Sequence, residues 1–165
     1  MRTKRFGRVG ASLLAAVAVF ALLGACAAKS TTTTLTLYER EDQGFSNNLL
    51  KAAPNFSIGD RILEQHPLYT VDGNSKVGDD ATAISVMAVY GKDPLLAIAC
   101  QSAFGSDTVT WYSVARLSAV MAGTTAAITG GTGKYKGASG TVFVKGNKRG
   151  GKDVFDETYT ITVPK

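Results

Sequence analysis

The chain has 165 residues, enough for one domain. Its formal charge of +5 reflects 18 Lys+Arg against 13 Asp+Glu, but Arg2, Lys4, Arg5 and Arg8 all precede Val9; beyond Ala25 the count is 14 bases against 13 acids, with no basic patch interleaved with aromatics, so nucleic acid is excluded as a partner. Two cysteines and one histidine offer neither a disulfide framework nor a metal-ligand spacing, so no metal and no cofactor are expected.

The basic start is followed by an apolar run from Val9 to Ala25 that ends in small residues. That is the pattern of a secretion signal. Its last residues, Leu23-Gly24-Ala25-Cys26, look like a bacterial lipobox, in which small residues admit a peptidase and the Cys26 thiol accepts the lipid. The expected organisation is therefore a signal peptide over 1–25, a tether over 26–34 rich in threonine, and a domain over 35–165. The protein is expected on the exported side of the cell membrane, held through its lipid anchor. One acyl chain binds a membrane only marginally, so two or more would be needed. An uncleaved membrane-spanning anchor is the competing reading, because the uncharged run reaches Ala28.

In the mature part, short runs of β-branched and aromatic residues alternate with turn residues, and no long stretch has helical spacing between caps. Strands are expected near Thr33–Arg40, Arg61–Tyr69, Thr82–Tyr90, Leu95–Phe104, Val109–Leu117, Ala119–Thr129, Thr141–Lys145 and Val154–Val163. The breaks are Asp72-Gly73-Asn74, Gly91-Lys92-Asp93-Pro94, Gly105-Ser106-Asp107, a glycine-dense stretch at Ile128–Gly140, and Gly146-Asn147-Lys148-Arg149-Gly150-Gly151. Phe45–Ser57 is the one long irregular connection, with room for a short helix around Leu49–Ala53. Eight strands joined by short links predict an all-β fold, an antiparallel up-and-down barrel of the calycin or lipocalin kind. Its interior is either filled by side chains or holds one small ligand. A two-sheet sandwich is the alternative.

The glycine stretch is not a nucleotide loop. Gly133-Lys134 is present, but Ile128 stands where the first glycine belongs and Tyr135 replaces the hydroxyl residue. A strand-like run, Gly140-Thr141-Val142-Phe143-Val144, follows instead of a helix, so no helix N-terminus supplies an anion site.

Ile128-Thr129-Gly130-Gly131-Thr132-Gly133, an aromatic at Tyr135 and a tail of small residues resemble the allene oxide cyclase barrel family and its dirigent relatives. Leu37-Tyr38-Glu39 resembles that family's first strand, and Gly59-Asp60, Pro67-Leu68-Tyr69-Thr70 and Lys76-Val77-Gly78 its second strand and following turn. The resemblance spans about residues 35–163. It implies an eight-stranded barrel, a cavity mouth near Phe45–Ser57 and a functional glutamate at Glu39. Several family positions differ. Glu41 stands for an asparagine, His66 for the asparagine before the Leu-Tyr-Thr segment, and Ile84 falls near the cavity cysteine. The proline after the first strand is missing around Asn47, while Ser46 keeps the adjacent serine. Allene oxide cyclase activity itself is therefore not expected.

Strand alternation proposes the interior side chains. Leu35 and Leu37 share a face with Glu39, and a carboxylate facing an apolar cavity resists ionisation and suits general-base work. On the last strand Phe155, Glu157, Tyr159, Ile161 and Val163 share a face, so Glu157 enters as a second acid able to share a proton with Glu39. His66, beside Pro67 at a strand end, reads as a rim residue with a possible part in proton transfer. Leu37, Ile84, Cys100, Trp111 and Tyr159 are expected to line a ligand cavity. Tyr90 and Tyr112 are further aromatic candidates, and Cys100, among apolar neighbours, reads as an inert buried thiol.

Three functions follow from this reading. The first is a membrane-anchored barrel that binds a small hydrophobic molecule without chemistry. The second is a cofactor-independent cyclase or isomerase acting on an unsaturated lipid, polyketide or terpenoid-like substrate. The third is a structural lipoprotein whose barrel is plugged. A homo-oligomer is compatible with each.

Overall fold

The β-branched and aromatic runs become nine strands: β1 (Ser30–Arg40), β2 (Phe45–Asn48), β3 (Arg61–Thr70), β4 (Lys76–Tyr90), β5 (Asp93–Phe104), β6 (Asp107–Arg116), β7 (Thr124–Gly131), β8 (Ser139–Arg149) and β9 (Lys152–Pro164). A short helix, α1 (Leu117–Ala122), lies between β6 and β7. The computed structural model describes residues 29–40, 45–48, 56–72 and 75–165, with the backbone alone at 45–48. The expected signal segment, Cys26 and the span 49–55 lie outside these residues, and no helix among the described residues is long and apolar enough to cross a membrane.

The strands pair antiparallel in the order β1-β9-β8-β7-β6-β5-β4-β3, and β3 pairs back to β1, which closes an eight-stranded barrel. The β1–β9 seam runs the full length of both strands, from Ser30↔Pro164 to Arg40↔Val154, whereas β1 meets β3 only from Leu37↔Thr70 to Glu39↔Leu68. The rest of that β3 edge is taken by β2, from Phe45↔Gln65 to Asn48↔Ile62. Among the described residues, closure pairs every barrel strand on both sides over part of its length, and leaves Ser30–Thr36 of β1 unpaired on the side away from β9. Register shifts at Leu68/Tyr69, Val86/Ala88 and Thr110/Trp111 supply the local bends a closed sheet needs.

Three of the links are two-residue hairpins: Gly91-Lys92, Gly105-Ser106 and Gly150-Gly151, between the pairs Tyr90↔Asp93, Phe104↔Asp107 and Arg149↔Lys152. Their glycines carry the positive φ that the right-handed strand twist demands of such turns.

Several expectations are corrected. The expected strand over Ala119–Thr129 is helical up to Ala122 and becomes β7 only at Thr124. Leu, Ala and Met favour a helix, and the Asp93 carboxylate caps it from outside, accepting from Ser118 N at 2.9 Å and from Ser118 Oγ at 2.8 Å. Asp93→Ala is expected to speed amide exchange over 117–122 while leaving β4 and β5 protected, as read by hydrogen-exchange mass spectrometry. Gly146–Arg149, read as a turn, continues β8; Gly146 is there because a Cβ would strike the Met121 side chain of α1. Lys76-Val77-Gly78, matched to the turn that follows the family's second strand, opens β4, which was expected only from Thr82; a Cβ on Gly78 would strike the Ala103 carbonyl. Phe45–Asn48, read as part of an irregular connection, is β2.

The core fills the barrel. Leu68, Val109, Val142, Tyr159 and Ile161 are at most 1% exposed. One end is plugged by the glycine stretch, where a single 3-10 turn at Gly133–Tyr135 sets the Tyr135 ring edge-on against Phe104, which in turn meets Tyr159. Thr132 N donates to Thr108 O at 2.9 Å, and Lys134 pairs with Asp107, so the turn is clamped onto the β5–β6 hairpin. α1 packs at the other end of the interior, with Val120 buried.

Candidate functional site

Each barrel strand sends alternate side chains inward, and, Ser113 of β6 apart, five of them carry a buried polar group at an inward position. β1 contributes Glu39, β3 His66, β4 Asp80, β5 Ser102, and β9 both Glu157 and Tyr159; all are buried. Glu39, Asp80 and Glu157 each offer a carboxylate oxygen, and these oxygens lie within 4.8 Å of one another. They are close enough to share one proton or to hold one cation. His66 Nδ1 stands 3.4 Å from Glu39 Oε1. Neither ring nitrogen of His66 and neither carboxylate oxygen of Asp80 has a hydrogen-bond partner, so four buried polar atoms face the cluster with spare capacity.

Behind the carboxylates runs a bonded chain. Trp111 Nε1 donates to Ser102 Oγ at 3.3 Å, Ser102 Oγ lies 2.8 Å from the Tyr159 hydroxyl, and Tyr159 donates to Glu157 Oε2. Burial, reinforced by the Asp80 and Glu39 charges, pushes the Glu157 carboxyl well above its ordinary 4.5. Burial also raises Asp80 above 3.8, against the opposing pull of Ser102 and Glu157, which lie near it without reaching hydrogen-bond geometry. The Tyr159 phenol and the Cys100 thiol are likewise pushed well above their ordinary values, by burial first and by the neighbouring acids second. Both therefore stay neutral, and Cys100 is an inert interior thiol.

A small cavity reaches this cluster. It measures about 50 Å³ and is walled by Glu39, Glu64 and Glu157 at one side and by Ile84, Trp111, Phe155 and Val120 of α1 elsewhere. That volume holds about one or two waters, so only the reacting end of a larger molecule fits it as it stands. A larger hollow, about 620 Å³, lies on the outside of β3–β6, floored by Ala81, Ala83 and Ala99 between Leu63 and Tyr112. The outer hollow shares Glu64, Thr82 and Trp111 with the inner cavity, but Glu39, Asp80 and Glu157 do not line it.

The expected site residues are distributed as follows. Glu39 and Glu157 both face inward and meet. His66 is not a rim residue: Leu68, 0% exposed, anchors the inward phase of β3, and His66 shares that phase two positions earlier, 4% exposed. Ile84 and Trp111 line the cavity, whereas Leu37, Cys100 and Tyr159 are buried behind it. Tyr90 and Tyr112 point outward and are about half exposed. The interior is also far less apolar than expected for a hydrophobic-ligand hollow.

Three polar residues escaped the sequence reading: Asp80, Ser102 and Glu64. Asp80 was missed because the strand was expected to begin at Thr82, whereas β4 begins at Lys76. Extending the phase of Ile84 back by twos reaches it, as extending Leu96, Ile98 and Cys100 forward reaches Ser102.

No protein-family model and no curated protein matches the sequence. Solved structures share the fold. A pyocyanin demethylase aligns with TM-score 0.61 and 24% identity, covering 76% of this chain and 98% of its own. A pterocarpan synthase dirigent protein aligns with TM-score 0.64 and 16% identity over 84% and 93%. The Diels-Alderase AbmU from Streptomyces koyangensis aligns with TM-score 0.59 and 12% identity over 98% and 83%. At these identities the likeness is one of fold, and the chain has the barrel that dirigent proteins and cyclases share.

Proposed function

We propose that this protein is a cofactor-independent acid–base catalyst of the isomerase or cyclase kind, working inside its barrel on a small unsaturated molecule. The observation that carries the reading is the meeting of Glu39, Asp80 and Glu157 in the buried interior. Burying carboxylates costs on the order of several kcal/mol each unless they are neutralised or paired. A barrel kept only for packing gains nothing from them, and groups whose protonation is shifted in this way mark functional sites. A protonated Glu157 can give a proton while an ionised neighbour takes one, the pairing that moves a double bond or closes a ring. The buried charged residues among those described are acids and a single histidine, without Lys or Arg. Such a lining suits a substrate that is neutral or basic and gains positive charge as it reacts. The same reading places the chain in the wider allene oxide cyclase and dirigent superfamily, with Glu39 in common and a different set of partner acids.

A passive carrier of a hydrophobic molecule would need none of these acids. The narrowness of the cavity, about 50 Å³, does favour a second reading, the plugged structural barrel. Lipid attachment at Cys26 and residence on the exported face of the membrane remain part of the proposal. So does pairing with a second copy over the alanine-floored outer trough.

The deciding experiment incubates the purified protein in D₂O with a panel of polyenes, conjugated ketones and nitrogen heterocycles, and follows products by mass spectrometry. Deuterium uptake or isomerisation that disappears in Glu39→Gln and survives a chelator supports the proposal. A panel left unchanged by the wild type favours the plugged barrel, and activity lost to the chelator would put a cation where the proton is assigned.

A further inference from the structure

Glu157 on β9, Glu39 on β1, His66 on β3 and Asp80 on β4 stand on four successive strands of the closed barrel. The register makes them neighbours. His66 lies directly opposite Asp80, and Glu39 pairs with Phe155 and Leu68, two positions from Glu157 and from His66 respectively. Spacing along the chain predicts no metal site, because closure of the barrel is what brings these donors together. The three carboxylates offer oxygens within 4.8 Å of one another. Oxygens on opposite sides of a magnesium ion are about 4 Å apart, and on opposite sides of a calcium ion about 5 Å. The trio therefore already has the span of a cation of that kind. Two further observations point the same way. Asp80 is 1% exposed and neither of its oxygens has a partner; His66 is 4% exposed, neither ring nitrogen has a partner, and Nδ1 stands 3.4 Å from Glu39 Oε1. Buried groups with spare lone pairs call for a partner, and among the described residues no Lys or Arg is buried to supply one.

We infer that Glu39, Asp80 and Glu157 form a binding site for one hard divalent cation, of the magnesium, manganese or calcium class, and that the cation-filled barrel is an inactive form. Three carboxylate donors favour those ions over soft ones. Glu39 and Glu157 open onto the inner cavity of about 50 Å³, where about one or two waters complete the coordination. Asp80 does not line that cavity and closes the site from behind. A ligating carboxylate is held in place by hydrogen bonds from outside; Tyr159, bonded to Glu157 Oε2 and backed by Ser102, provides one. His66 stands at the edge of the site as a nitrogen donor beside Glu39. The inactive form rests on the acid–base reading above: oxygens engaged by a cation neither give nor take a proton. The binding site itself does not depend on that reading.

The site is tested without substrate. Manganese(II) alone is titrated into the full-length protein, and the free ion is followed by its paramagnetic resonance spectrum. One bound manganese per chain is expected, with a Kd below about 1 mM, the weak limit of natural oxygen-ligand cation modules. Asp80→Asn and Glu157→Gln keep the shape of the side chain and remove one charged ligand each. Each should weaken binding by at least about 10–100-fold, the loss that follows removal of an outer partner alone; the two variants stand in for each other should one fail to fold. Asp79→Asn is the control, since Asp79 points outward and pairs with Lys76 at 2.7 Å, and it should bind as the wild type does. Calcium should displace the manganese, and displacement by zinc alone would overturn the assignment to a hard cation. No binding tighter than about 1 mM, or binding left unmoved in both Asp80→Asn and Glu157→Gln, would overturn the site and assign the manganese to surface acids. With a substrate from the panel above, saturating manganese should abolish turnover and a chelator should restore it; turnover raised by manganese would overturn the inactive form. Manganese bound as expected by a protein that turns over nothing would sink the proposed function and leave the cation site standing.

Discussion

Glu157→Gln is expected to remove nearly all turnover and, at the same time, to make the fold more tolerant of alkali. Loss of a positioned general acid typically lowers a rate by about 10²–10⁴-fold, and glutamine supplies no proton to replace it. Glutamine does reproduce the shape of a protonated glutamate: its amide oxygen accepts from Tyr159 and its nitrogen donates towards Asp80. The fold should therefore survive the exchange.

The stability effect follows from proton linkage. Glu157 and Asp80 have folded-state pKa values raised above the unfolded ones, near 4.5 and 3.8, so the folded protein binds protons more tightly than the unfolded chain. Their contribution is complete below those unfolded values and is lost as pH rises towards the folded ones. Within that window each group costs about 1.4 kcal/mol per pH unit. Asp93 works in the opposite sense: its pKa is lowered, first by the Ser118 backbone hydrogen bond and then by the Ser118 hydroxyl, so its contribution is present above 3.8 and fades as pH falls. Urea denaturation of the wild type should show declining stability from weakly acid to alkaline pH. Glu157→Gln should flatten that slope by about one proton. An unchanged slope would mean that Glu157 is ionised in the native barrel, and the acid role would fall with it.

Gly140→Ala is expected to be the most damaging methyl group that can be added to the domain. Gly140 has φ of +128°, where L side chains rarely sit, and an added Cβ would run into the Thr160 backbone carbonyl of β9. Backbone strain of this kind costs about 1–3 kcal/mol. Forcing two strands apart in a packed sheet adds about 1–3 kcal/mol more. A domain is typically stable by about 5–15 kcal/mol, so the sum is a large share of the total. Gly91→Ala is the control: φ is +66° and nothing lies within 4 Å of the added carbon. Its cost should be about 1 kcal/mol, from the conformation alone. Equal losses for the two variants in urea titrations would show that close approach of β8 to β9 is not what requires glycine at Gly140.

The strands were legible wherever β-branched residues alternate with polar ones, because a half-buried sheet imposes that period. On β9, Phe155, Glu157, Tyr159, Ile161 and Val163 share one face in the sequence, and Glu157, Tyr159 and Ile161 are at most 1% exposed. Legibility failed where glycine had a second use. Gly78 and Gly146 read as turns, yet each lies inside a strand to admit a neighbour, the Ala103 carbonyl in one case and Met121 in the other. Helix α1 was missed because its six residues are too short to show a helical period, and its cap, Asp93, comes from a distant strand. At the site, Glu39 and Glu157 could be found by counting in twos along their own strands. His66 was read as a rim residue because of Pro67, although the expected strand Arg61–Tyr69 ran past it; the phase it shares with Leu68 puts it in the interior.

The sequence by itself determined that this protein is an antiparallel β-barrel, and that Glu39 and Glu157 face its interior. Those properties are local: they follow from the period of a strand and from the residues that turns require. Tertiary structure alone decided that the two glutamates meet Asp80, and that His66 and the Trp111-Ser102-Tyr159 chain stand beside them. Meeting depends on the register of six strands that close on one another, and register is set by bulges and by pairings as distant in sequence as Ser30 with Pro164.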